Sequence, residues 1–159
     1  MSNKITSYNM RTVRFPDMIC SIKDQGNDLS NWAPAYRAGA TIDEEGRVVI
    51  LFGVQLTNVV GEDKKIGNSL VQAECRADFT LNGEVPLGLT KLNEIPLVAN
   101  MIASMFPFVR EKLHGMLYSN MVTFIIPSYN LVNYVRDVGQ NIEITDLRTK
   151  PLLDKNEGN

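Results

Sequence analysis

The sequence predicts an α+β protein, with strands filling its N-terminal half and helices its C-terminal half. Three observations carry this prediction. Residues 46–58, GRVVILFGVQLTN, are rich in β-branched and aromatic residues and alternate through Leu51, Val54 and Leu56, as a strand with a covered face requires. Residues 97–117 repeat apolar side chains at helical steps, and Pro127-Ser128 precedes a shorter apolar-periodic stretch containing Tyr129, Leu131, Val132, Tyr134 and Val135.

The strands follow in order. A first strand is expected over residues 8–22, interrupted by Pro16. Proline lacks a ladder donor, so this strand belongs at an edge or carries a bulge, and an open edge must be shielded or paired with another subunit. Asp43-Glu44-Glu45-Gly46 supplies a turn, with Gly46 free to adopt positive φ, so residues 35–43 and 46–58 form an antiparallel hairpin. After the polar break Gly61-Glu62-Asp63-Lys64-Lys65, residues 69–81 alternate through Leu70, Ala73, Cys75, Ala77, Phe79 and Leu81. This fourth strand ends at Asn82-Gly83.

In the long helix, Leu97, Met101, Met105, Phe108, Leu113, Met116 and Leu117 recur mostly at three- and four-residue steps, and Val98, Ile102, Phe106 and Val109 widen the stripe. Such a helix has two apolar faces and needs two partners, either the core of a larger fold or a second subunit. Met101, Met105, Phe108 and Val109 are the candidate oligomer-interface positions. Pro107 removes a donor inside the helix and is expected to bend or divide it. An apolar segment, VTFIIP at 122–127, then leads to the short helix, with Ser128 as its expected N-cap and its end near Gly139. Residues 140–159 are mixed and polar and contain Pro151, so they are expected to form a flexible tail whose closing DKNEGN frays. Residues 1–139 thus form one domain.

Composition restricts the function. With 159 residues, 44% hydrophobic content and 21% charged content, the chain suits one globular domain. A net charge of −2 and no dense Lys/Arg cluster argue against a nucleic-acid partner. Apolar segments are too short and interrupted to span a bilayer, and the polar start MSNKITSYN has no signal-peptide pattern. A cytoplasmic protein with Cys20 and Cys75 as reduced thiols is expected. His114 is the single histidine and the two cysteines lie far apart, so no metal-ligand spacing exists, and no P-loop, GxGxxG or GxSxG motif occurs. Binding without a cofactor is favoured over catalysis, and the bland reading of a lone helical histidine is structural.

Several of these residues resemble the SecB protein-export chaperones. MFPFVRE at 105–111 is similar to that family's FPYARE-type helix signature, and IPSYNLVNYV at 126–135 follows where the family has an APVNF-like turn. Asn31-Trp32-Ala33-Pro34 sits where the family has a Trp-x-Pro element, and residues 77–83 end the fourth strand in a similar way. The resemblance covers residues 8–138. It implies a four-stranded antiparallel sheet packed with one long and one short C-terminal helix, and assembly as a homotetramer built as a dimer of dimers. It further implies ATP-independent holding of unfolded polypeptides or preproteins in apolar grooves for export, with delivery to the motor SecA. The groove residues it implies are Trp32, Phe124, Ile126, Tyr129, Leu131 and Tyr134, with no cofactor.

The chain departs from the family at the acidic positions that dock SecA. Asp17 matches one of them, but the neighbouring family glutamates fall on Ser21 and Gln72, and the crossing after the long helix, residues 119–124, lacks the family's Gly and Pro. Two alternatives therefore stand beside the export chaperone. One is a SecB-like chaperone dedicated to a single partner such as an antitoxin. The other is a small-ligand protein or enzyme on the same scaffold, which would show a closed polar pocket around His114.

Overall fold

Alternation builds the sheet. The computed structural model describes residues 4–149, and strand β3 (Val48–Val60) lies at the centre of its sheet. Val48, Ile50, Phe52, Val54 and Leu56 are fully buried and stand opposite Phe79, Ala77, Cys75, Ala73 and Val71 of β4 (Lys65–Leu81). Ten apolar side chains thus form one continuous layer. Dense packing of this kind pushes the Cys75 thiol up to about 11 through burial, so Cys75 behaves as a small core hydrophobe rather than a nucleophile.

β1 (Tyr8–Ser21), β2 (Trp32–Ile42) and the two-residue β5 (Thr145–Asp146) complete the sheet in the order β1-β4-β3-β2-β5. Three consecutive antiparallel strands, β2 to β4, are followed in space by β1, a Greek-key arrangement. Pro16 falls at the outer strand, inside the register shift between Arg14 and Asp17, where a missing donor breaks no ladder bond. Edge position and bulge are both as expected.

The link from β1 to β2 crosses two strands and is fastened by a buried polar network. Ser69 donates through its hydroxyl to Asp24 Oδ2 at 2.7 Å and through its backbone N–H to Asn58 Oδ1 at 2.9 Å, while Asn58 Nδ2 donates to the Asp28 carbonyl at 3.2 Å. Asn58 is fully buried, and a Cβ on Gly67 would collide with its amide. Glycine is therefore required there for space. Asn58→Ala should leave the Ser69 N–H and the Asp28 carbonyl without partners and lower stability by about 1–3 kcal/mol, measured by urea denaturation; an unchanged midpoint would show that the network is replaceable by water.

Long helix α1 (Val98–Ser119) packs on the sheet through Val98, Met101, Ile102, Met105, Phe106, Val109, Leu113 and Leu117. It runs unbroken through Pro107, so of the expected bend or division the division does not occur. The bond lost there would have reached the carbonyl of Ala103, and both residues are exposed, so water replaces it. The expected second apolar face is also absent. Asn100, Ala103, Pro107, Glu111 and Gly115 make up much of the solvent side. Of the four interface positions, Met101, Met105 and Val109 are fully buried in the subunit's own core, and Phe108 alone is exposed, at 38%. A stripe wide enough to suggest two partners is accommodated by one deep sheet.

Short helix α2 (Leu131–Val138) starts later than expected. Asn130, not Ser128, is its N-cap and accepts from the Asn133 N–H at 3.1 Å; Gly139 ends it as anticipated. Residues 140–149 are not a loose tail. Ile142 and Ile144 pack on the core, the Leu92 N–H donates to the Ile142 carbonyl at 2.9 Å, and β5 pairs in parallel with β2. Arg148 locks the arrangement, pairing with Asp146 at 2.8 Å and donating to the carbonyls of Val85 and Pro86 at 2.7 and 3.1 Å. The sheet therefore has five strands rather than four. The expected fraying of DKNEGN lies outside the described residues.

Candidate binding groove

The segment after α1 is shaped by a helix-ending turn. The N–H groups of Asn120 and Val122 both donate to the Leu117 carbonyl, at 3.0 and 2.9 Å, and that of Met121 to the Tyr118 carbonyl at 3.0 Å. Closing this turn places Met121 at φ 60°, a left-handed conformation that helices usually assign to glycine. A non-glycine residue there costs about 1–2 kcal/mol. Met121 recovers none of it by burial, because it is 93% exposed.

From Met121 the chain alternates without forming a strand. Val122 and Ile126 are buried, Phe124 is half-buried, and Ile125 points outward at 65% exposure. His114 holds this segment to α1, its Nε2 accepting the Ile126 N–H at 3.0 Å. Only the neutral ring with its proton on Nδ1 can accept there. Burial, helped by the positive charge of Arg110, keeps its pKa below the usual histidine value. A depressed folded pKa means that the unfolded chain binds the proton more readily. The resulting stability is present above the unfolded-state pKa, about 6.5, and is lost as pH falls through the lower folded value. Amide exchange at Ile126 should accelerate as pH falls below about 6.5 relative to core amides, and His114→Phe should remove that pH dependence.

Along α1, and closed on one side by Ser128, lies an open cleft of about 730 Å³, lined by Phe106, Pro107, Arg110, Glu111, His114, Gly115, Tyr118 and Ser128. The His114 ring stacks on Tyr118 with centroids 5.7 Å apart. Tyr118 lines the cleft in the open, and further along the chain Ile125, Val132 and Tyr129, the last at 42%, are also exposed. Tyr129 stacks on Tyr36 at 4.2 Å, and Tyr36 lies above Phe52 at 6.3 Å. Burial first, and the nearby Tyr129 hydroxyl second, push the Tyr36 and Tyr134 hydroxyls above the ordinary tyrosine value.

The six groove residues expected from the sequence divide by depth. Tyr129 is exposed and Phe124 half-buried, whereas Trp32, Ile126, Leu131 and Tyr134 are buried in the core. Trp32 donates through Nε1 to the Leu29 carbonyl at 2.8 Å, a core anchor rather than a contact surface. Those four are corrected to a supporting floor. Arg110, His114 and Tyr118 were not expected in the site, although their spacing of four residues puts them on one helix face. Asp17 stands on the opposite side of the sheet, beside Glu74 and accepting from Gln72 Nε2 at 2.8 Å.

Among the described residues, no group of three or more His, Cys, Asp or Glu side chains is placed to hold a metal ion, and no described helix is long and apolar enough to cross a membrane. The chain matches no family model and no curated protein sequence. Its fold is similar to that of a solved SecB-like chaperone from Mycobacterium tuberculosis in complex with a ChAD peptide from the HigA1 antitoxin. That likeness has a TM-score of 0.55 and 11% sequence identity over 77% of this chain and 91% of the other. The architecture of β1 to β4 and the two helices is therefore a SecB-like fold.

Proposed function

We propose that this protein is a holdase chaperone that binds non-native polypeptide along the groove beside α1 without nucleotide. One observation carries the reading. Of the twelve large hydrophobic residues exposed among the described residues, five lie within 118–132: Tyr118, Met121, Ile125, Tyr129 and Val132. A monomer gains nothing by exposing so many apolar side chains along one short segment, and exposed apolar surface of this kind supports a binding role. Each apolar side chain covered by a client contributes about 1.5–3 kcal/mol, against about 1–2 kcal/mol for every client residue ordered. Net affinity from burial is then modest and tolerant of many apolar sequences, which suits holding and release.

A light-scattering assay tests this: the protein in subunit excess should suppress aggregation of a chemically unfolded client in the absence of ATP, and no suppression would overturn the reading. We place it in the cytoplasm as a homotetramer serving protein export. A second reading, a chaperone dedicated to one partner such as an antitoxin, is favoured by the Asp17 carboxylate being engaged by Gln72 and by the peptide held by the similar structure. Binding to SecA at ordinary affinity would decide for export. A ligand-binding or enzymatic role called for a closed polar pocket at His114, and the cleft there is open.

A further inference from the structure

Capture by apolar burial needs no charge in the groove, yet Arg110 lines it. Its Nε is fully buried and has no hydrogen-bond partner, and the residue makes no ion pair among the described residues. Guanidinium stays charged at any physiological pH and presents its donors as a rigid fork matched to a carboxylate. Glu111 also lines the cleft, but it follows Arg110 directly, about 100° around the helix, and does not pair with it. His114 cannot serve either, because its Nε2 is occupied by the Ile126 N–H, and burial first and the Arg110 charge second lower its pKa and favour the neutral ring. A buried, unpartnered donor on a permanent cation, set in a cleft open to solvent, is a site waiting for an anion.

We propose that the groove prefers client segments in which an Asp or Glu is embedded in an apolar run, with Arg110 pairing with that carboxylate while Pro107 and Tyr118 receive the flanking apolar side chains. This rests on the holdase reading and narrows its client class. Polypeptide is the committed partner because the donor lies among apolar side chains, an arrangement that suits a carboxylate carried between hydrophobic residues better than a free, fully hydrated ion.

The test uses the full chain and three fluorescent nine-residue peptides that differ only at a central Glu, Gln or Lys within the same apolar sequence, followed by anisotropy. The Glu peptide should bind about tenfold more tightly than the Gln peptide, equivalent to ~1.4 kcal/mol, and the Lys peptide most weakly. Raising the salt concentration should narrow the difference. Arg110→Met, which keeps an apolar stem, should make the Glu and Gln peptides equal; Arg110→Lys should retain part of the preference. Equal affinity of wild-type protein for the Glu and Gln peptides overturns the selectivity and leaves the holdase reading intact. Failure of every peptide to bind, together with absent aggregation suppression, overturns both.

Discussion

Met105→Asp should unfold the subunit, not merely separate one subunit from another. Met105 is fully buried between α1 and the sheet, so the substitution removes its packing, worth about 2–5 kcal/mol, and inserts a carboxylate whose burial costs several kcal/mol more. Total stability of a domain this size is about 5–15 kcal/mol, so most of it would be lost. Circular dichroism should show a collapsed or missing thermal transition. A well-folded variant with an unchanged melting temperature and reduced mass by light scattering would instead place Met105 in a contact between subunits. Phe108→Asp is the informative companion, because Phe108 is exposed and its substitution should cost under about 1 kcal/mol. If copies assemble through the outer side of α1, the Phe108 variant is the one that changes mass while remaining folded.

Replacing Tyr118, Ile125 and Val132 together with Ser should have the opposite profile. All three are exposed, so their loss should lower the melting temperature by less than about 6 °C, taking about 2–4 °C per kcal/mol for a domain of this length and roughly 0.5 kcal/mol per surface site. Client affinity should fall much further. Each is only about half to two-thirds exposed, so removing these three apolar contacts from the proposed client surface forfeits about 2–4 kcal/mol of burial, roughly 30- to 700-fold in Kd, and aggregation suppression at equimolar protein should disappear. Undiminished suppression by a folded triple variant would locate client binding elsewhere, with the uncovered sheet face around Leu51 the next surface to probe.

Legibility in the sequence followed the strength of the local physical signal. Strict alternation in residues 46–58 and 69–81 identified β3 and β4 because a half-covered sheet leaves a period of two, and Pro16 marked an edge because its missing donor tolerates no other place. β5 escaped notice: a two-residue strand has no period, and its hold on β2 comes from Arg148 reaching carbonyls more than sixty positions away. Ser128 and Asn130 are both good capping residues, and only the path of the chain chooses between them. The groove was misjudged for a similar reason. Trp32, Leu131 and Tyr134 were expected at a surface because the resemblance implied it, but large apolar side chains are taken into the core whenever the fold has room, whereas Arg110 and His114 line the cleft from one face of α1.

Placing β1 beside β4 sets how this chain must fold. β2, β3 and β4 join through short turns, but β1 can dock only after the forty-eight residues between Ser21 and Leu70 have found their positions, since Ser21 faces Leu70 and Tyr8 faces Leu81. Closing that loop delays the last ladder. Until it forms, β4 offers a bare hydrogen-bonding rim to any neighbouring chain, so the interval before β1 arrives is when this protein is itself most at risk of clumping.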